Sequence, residues 1–291
     1  LNYLIQFIQF LLFFHKFFNK NNLTLTIILF IITPIMPTLK VFIPGFGEPY
    51  WNEKLLILNS NINKILEYNW DKVDITVCKY TPKHVRSLES LNVIIKPDTN
   101  PDVKLTVIES TGIVGDFIKR YANPDEDKIY DYYLFLLDDI QLQPDINWNT
   151  LIEIKNKNNI DIASPTLTRD SEYIYDYMRC GNYSNANIAL KTSCLEFFCY
   201  FMDHKSYKTW YSFIDENNPW MWGLDLLIHK HMNLNVALIN NMTMHHYYKH
   251  TSYGSRPDHN PAEDCNKFIE KYNETYQSLA EQKAVLEVYE Y

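Results

Sequence analysis

The sequence predicts an α/β protein: a mostly parallel, doubly wound sheet flanked by helices, with a helical arm at the C-terminal end. Three observations predict it. Short apolar runs of strand length alternate with stretches whose apolar residues fall at helical spacing. One such run, Tyr132 to Leu137, stops abruptly at Asp138-Asp139, as a buried strand does at a sheet edge. Aromatic residues are plentiful, with 22 Tyr and 16 Phe in 291 residues, so a large core is available.

Composition narrows the class further. Seven Gly are few for an architecture built on glycine loops. The net charge is -8 and the basic residues are scattered, which disfavours a nucleic-acid partner. The five Cys (Cys78, Cys180, Cys194, Cys199, Cys265) show no C-x-x-C spacing, which speaks against a disulfide framework or a structural zinc site.

Residues 1–35 stand apart. Leu4 to Phe14 and Leu23 to Ile35 are apolar runs, each shorter than the ~20 residues a membrane helix needs. Met36 precedes the first convincing strand. The expectation is that 1–35 is upstream sequence foreign to the native protein, which is then cytoplasmic. The alternative is a membrane anchor, the only route to a membrane that the sequence offers.

From there the elements follow in order. Leu39 to Ile43 is a strand, and Pro44-Gly45-Phe46-Gly47 is a loop able to approach a ligand closely. Asn52 to Tyr68 carries Leu55, Ile57, Leu58, Ile62, Ile65 and Leu66 at helical spacing. Val73 to Val77, Leu91 to Ile95 and Leu105 to Ile108 read as strands, and Thr111 to Tyr121 as a helix opened by Gly112 and Gly115. Trp148 to Lys157 is a helix, and Ile160 to Ala163 a strand ending in Ser164-Pro165. Arg169 to Arg179 suits a loop at the rim of a site. Ser193 to Met202 is a strand, followed by a helix over Tyr207 to Ile214. Asn218 to Asp225 is a turn leading into a helix, Leu226 to Met232, and Val236 to Met244 is the last strand. Residues 36–260 make one domain, and 261–291 a charged helix that covers or packs.

Three polar features fall at element ends. Two carboxylates at a strand tip, Asp138 and Asp139, are costly to bury unpaired, so they are either solvated or neutralised by a cation. Ligands in open α/β sheets bind just beyond such tips. Asp225 follows Trp220, Met221, Trp222 and Gly223; it is either a base with a raised pKa or an ordinary first-turn Asp. His245 and His246 end the last strand, either as metal ligands or as partly exposed side chains.

Together, Asp-Asp, then a Trp-flanked Asp, then His resembles the GT-A glycosyltransferases, in particular a little-characterised group with tracts similar to LEFFCYFM and WGLD. The resemblance spans Leu39 to Tyr248. It implies a Rossmann-like sheet binding a UDP- or GDP-sugar donor, Mn²⁺ or Mg²⁺, and a glycan or other hydroxyl acceptor. It also implies transfer of the sugar, with inversion if Asp225 is the base. On the same basis Asp138 and Asp139 hold the metal and the ribose-diphosphate, and His246 or else His245 completes the metal shell. Pro44, Gly45 and Phe46 touch the nucleotide base, and Gly112, Gly115 and Asp116 lie beside the nucleotide. The usual Asp-x-Asp is broken by Ile140, so Asp139 is expected to ligate directly and Asp138 to face the ribose or the metal's water shell. The second strand ends in Cys78-Lys79-Tyr80, without the Asp that reads uracil in many relatives, so the donor stays open. A degenerate member that binds sugar or nucleotide without turnover is the alternative reading.

Overall fold

In a computed structural model, β1 (Thr38–Phe46), β2 (Lys72–Tyr80) and β3 (Val103–Ser110) run parallel, and β4 (Tyr132–Leu136) joins β1 in parallel on its other side. Parallel neighbours need a crossover, and α1 (Trp51–Leu66) supplies the one between β1 and β2. Leu39, Val41 and Leu134 lie fully buried between helices and sheet. Each such side chain contributes roughly 1.5–3 kcal/mol by leaving water.

The structure describes residues 36–80, 102–125, 129–173, 175–181, 187–247, 258–281 and 284–290. Both the leading segment 1–35 and the strand expected at Leu91 to Ile95 lie outside these. Residues Pro37–Tyr291 form one unit.

Beyond β4 the sheet changes direction. β5 (Ile140–Leu142), α3 (Trp148–Lys157), β6 (Ile162–Leu167), β7 (Asn187–Thr192), β8 (Cys199–Asp203) and β9 (Val236–His246) follow, with α2 (Val114–Tyr121) before β4 and α4 (His204–Ser212) after β8. The order across the sheet is β10-β7-β9-β6-β8-β4-β1-β2-β3, where β10 is Val285–Glu290. β8 is antiparallel to both β4 and β6, while β6 and β9 are parallel.

One short pairing positions the site. The chain turns at residues 137–139, and β5 then lies antiparallel to the end of β9, with Ile140 opposite His246. That register sets Asp139 beside the last residue of β9, and the Tyr247 N–H donates to the Asp139 carbonyl at 3.2 Å.

Several expectations are corrected. The helix expected at Leu226 to Met232 is α5 (Leu224–Leu227), a single turn that begins earlier. The strand expected from Ser193 begins at Cys199. The strand expected to end before Ser164-Pro165 runs through them to Leu167, with a bulge where Pro165 has no N–H to give. The tail 261–291 starts as the expected helical arm, α6 (Pro261–Glu270) and α7 (Tyr276–Ala280), but ends as strand β10 rather than as helix. There Val288 and Glu287 face the β7 residues Leu190 and Lys191, and β7 had no expectation attached to it. Among the described residues no helix is long and apolar enough to cross a membrane.

Candidate active site

A cavity of about 410 Å³ opens at the strand tips. Pro44, Gly45, Asp138, Asp225 and His246 line it, so residues up to 202 positions apart meet there. The elements explain the meeting. Gly45 sits in a bulge of β1, where the register with β2 slips between Pro44 and Phe46, and its φ of 86° is open to glycine. A Cβ at Gly45 would lie 2.5 Å from the Tyr80 hydroxyl, so the loop packs directly on Tyr80, another wall of the cavity.

Asp138 is 6% exposed, and it has a partner that the sequence reading missed. The ammonium of Lys54, on α1, lies 2.9 Å from its Oδ2 and is fully buried. The Gly47 N–H donates to the same oxygen at 3.2 Å. Burial pushes the Asp138 carboxyl up, and the Lys54 charge opposes that. The signal was present in the spacing. Lys54 shares a helix face with Ile57, Leu58 and Asn61, all buried, while Leu56 is 71% exposed.

Asp139 lies behind the cavity wall with no exposed surface. Neither of its carboxylate oxygens has a hydrogen-bond partner, and neither does Nε2 of His246, which sits 3.5 Å from Asp139 Oδ2. Buried polar atoms left this way are costly. Burial opposes charge on His246, but the Asp139 carboxylate more than offsets it, so the imidazole pKa lies above its usual value. The other ring nitrogen, Nδ1, is 2.8 Å from the Glu172 carbonyl, which fixes the ring.

An anionic oxygen pair and an imidazole nitrogen, buried side by side and without a hydrogen bond, are donor types that suit a divalent ion. By donor type, Asp139 and His246 therefore fit a divalent ion. Asp138, paired with Lys54, does not offer itself in the same way. Among the described residues no group of three or more His, Cys, Asp or Glu is arranged around one point, so further ligands would have to come from substrate or water.

Asp225 is the other carboxylate that lines the cavity. Gly223, at φ 81°, opens the turn of α5. A Cβ there would come within 2.8 Å of Ile269 and 3.0 Å of Cys265, both on the tail. The Tyr175 hydroxyl donates to Asp225 Oδ2 at 3.0 Å. Burial raises the Asp225 carboxyl to about 6, against the pull of Tyr175 and of nearby backbone N–H groups. Trp222 lines the same cavity and is 51% exposed, and Glu196 and Tyr276 line it without having been anticipated.

The remaining candidates lie elsewhere. Phe46 is fully buried and packs edge-on against Trp51 at 5.0 Å, so its ring belongs to the core. Gly112 packs against Asp116 and Arg120. Gly115 packs against the Pro219 carbonyl, to which its N–H donates at 2.9 Å. Asp116 accepts from the Ile113 N–H at 3.0 Å, as part of the α2 start. Gly115 and Asp116 line a separate polar cavity with Lys119, Arg120 and His259. His245, one residue along β9 from His246, faces away, with Nδ1 2.7 Å from Thr168 Oγ1 and its ring against Tyr247.

No family model and no curated protein matches this sequence. Among solved structures, it is similar to GalNAc-T7 in a crystal structure with UDP, GalNAc and Mn²⁺, at 13% identity and a TM-score of 0.53. That match covers 81% of this chain and 48% of the other. Two structures of S. aureus TarS match at 9% and 10% identity with TM-scores of 0.44 and 0.41. They cover 84% and 81% of this chain, and 41% and 64% of theirs. The chain thus spans less than two thirds of each of these three structures. The fold of residues Pro37–Tyr291 is the GT-A fold, an α/β sheet with a parallel block β4-β1-β2-β3, flanked by helices.

Proposed function

We propose that the protein is a metal-dependent glycosyltransferase that moves a sugar from a UDP- or GDP-sugar to a glycan or other hydroxyl acceptor. One observation carries the reading. On a GT-A scaffold, Asp138, Asp225 and His246 line a single cavity together with the Pro44-Gly45 loop. Ligands of open α/β sheets bind at such strand tips.

In this reading Asp139 and His246 hold Mn²⁺ or Mg²⁺. When bound, the ion stabilises the charge that develops on the leaving diphosphate. Lys54 and Gly47 fix Asp138 at the ribose side of the site. Asp225 takes the proton of the acceptor hydroxyl, and a carboxyl near 6 is largely ionised at neutral pH yet basic enough for the task. The acceptor oxygen bonds to the anomeric carbon. The bond from that carbon to the diphosphate breaks, and its electron pair leaves with the nucleoside diphosphate. Attack on the face opposite the leaving group inverts the anomeric centre. Exposed Trp222 offers an aromatic surface on which a pyranose stacks.

The test is slow donor hydrolysis across a panel of UDP- and GDP-sugars. Turnover is expected to require Mn²⁺ or Mg²⁺ and to vanish in Asp139→Ala and in Asp225→Ala while both variants stay folded. Full activity in both variants overturns the reading.

The Lys54–Asp138 ion pair favours one second reading, a protein that binds the nucleotide without turning it over, because one of the two tip carboxylates is already neutralised. Calorimetry that shows donor binding without hydrolysis or transfer selects it.

A further inference from the structure

We propose that Tyr175 is the positioning residue of the base: its phenol fixes the orientation of the Asp225 side chain and stabilises the carboxylate form. The inference rests on the assignment of Asp225 as base. It begins from the 3.0 Å hydrogen bond in which Tyr175 Oη donates to Asp225 Oδ2. A donor to a carboxylate favours ionisation, and the effect grows where water is scarce.

Tyr175 is itself held in place. Its ring stacks on Tyr177 with centroids 5.5 Å apart and planes 18° from parallel. The Tyr177 hydroxyl donates to the Cys194 carbonyl at 2.9 Å. The two tyrosines flank the start of a 3-10 turn, Asp176–Met178, which is tied back to β6 by the Cys180 N–H to Leu167 carbonyl bond at 2.7 Å. A tyrosine that merely filled space would not need this chain of anchors ending on a cavity-lining carboxylate.

The other groups around Asp225 would not do the same work. Cys194 and Glu196 approach from the segment before β8, Tyr200 from β8, and Cys265 and Tyr276 from the tail. Any of these, once ionised, adds negative charge and disfavours the Asp225 carboxylate. His246 and Asp138 line the same cavity. The side-chain hydrogen bond that favours the ionised base comes from Tyr175.

The experiment compares wild type with Tyr175→Phe, which keeps the stacked ring and removes only the hydroxyl. The Asp225 carboxyl is titrated directly by carbon NMR, its signal assigned by its loss in Asp225→Asn. Its midpoint is expected to rise by about one pH unit in Tyr175→Phe. The acidic limb of hydrolysis, followed with whichever UDP- or GDP-sugar the wild type cleaves fastest, is expected to rise equally. Donor KM should be unchanged, and the rate at about pH 9 should return to within roughly threefold of wild type. A purely structural role would instead lower the rate equally at every pH. Tyr177→Phe keeps the Tyr175 hydroxyl, so its limb should stay in place.

Equal carboxyl midpoints in wild type and Tyr175→Phe overturn the proposal. So does a limb that Tyr177→Phe moves as far as Tyr175→Phe does. If the wild type cleaves no nucleotide sugar, the proposed function falls, and the carboxyl titration still decides the role of Tyr175.

Discussion

A carboxylate pressed against protein in a cavity wall carries a cost in stability, and Asp225 shows its size. Its carboxyl lies near 6 in the folded protein, against about 3.9 for an unfolded Asp. The folded state therefore binds more protons than the unfolded state between those values, and stability falls as pH rises through that window. Above it the penalty is complete, at roughly 2–3 kcal/mol. Asp225→Asn is thus expected to melt higher than wild type at pH near 8 and at about the same temperature at pH near 4, while losing turnover. Thermal scans at the two pH values check this, and a lower melting temperature at the higher pH contradicts it.

Lys54 is the opposite case. With its ammonium and the Asp138 carboxylate both nearly inaccessible, removing one partner leaves the other's charge buried without its counter-charge. Lys54→Met should cost about 3 kcal/mol near neutral pH. The loss should shrink as the pH falls and Asp138 takes up a proton. Guanidinium denaturation at two pH values measures it.

At the scale of elements, the site depends on places where regular structure stops. β4 ends, the chain turns through Asp138-Asp139, and three residues of β5 grip the end of β9. The sequence made this strand tip legible because a long apolar run cannot absorb two carboxylates. It also made Asp225 and His246 legible as polar residues at element ends. Lys54 was legible only through its spacing with Ile57, Leu58 and Asn61, because a lysine in an amphipathic helix is first assigned to solvent. His245 and His246 both pair with β5, and they are told apart by the alternation of side chains along β9, which turns His246 to the cavity and His245 to Thr168. The tail misled for a related reason: its many charges fit a helix, and its last residues form a strand only because β7 presents an edge to pair with.

Gly223 shows how such an end is enforced. Its left-handed backbone and its contact with Cys265 and Ile269 leave no room for a side chain. Gly223→Ala should cost about 1–2 kcal/mol from the backbone alone. It should also lower turnover by shifting Asp225, two residues on. A variant with wild-type stability and wild-type kcat would show that the turn is more tolerant than its geometry indicates.

For the whole molecule, the question is what the tail is for. Phe268 and Ile269 are buried in the main core, Tyr272 stacks on Phe213 at 5.6 Å, and Lys271 pairs with Asp215. Cys265 and Tyr276 then form part of the cavity wall. The tail therefore has two separable jobs, completing the site through α6 and α7 and covering the β7 edge through β10. Two truncations separate them. Removing residues 284–291 strips the partner from β7 and leaves its ladder groups unpaired, an invitation to pair with another chain. That variant should keep its cavity and its donor hydrolysis, but should associate at raised concentration, as light scattering behind a sizing column would show. Removing residues 258–291 also takes away Cys265, Phe268, Ile269 and Tyr276, and with them the support behind Gly223. It should lose hydrolysis and melt at a clearly lower temperature. If the shorter truncation alone abolished hydrolysis while staying monomeric, β10 would have to act on the site itself, and the division of the tail into wall and edge cover would be wrong.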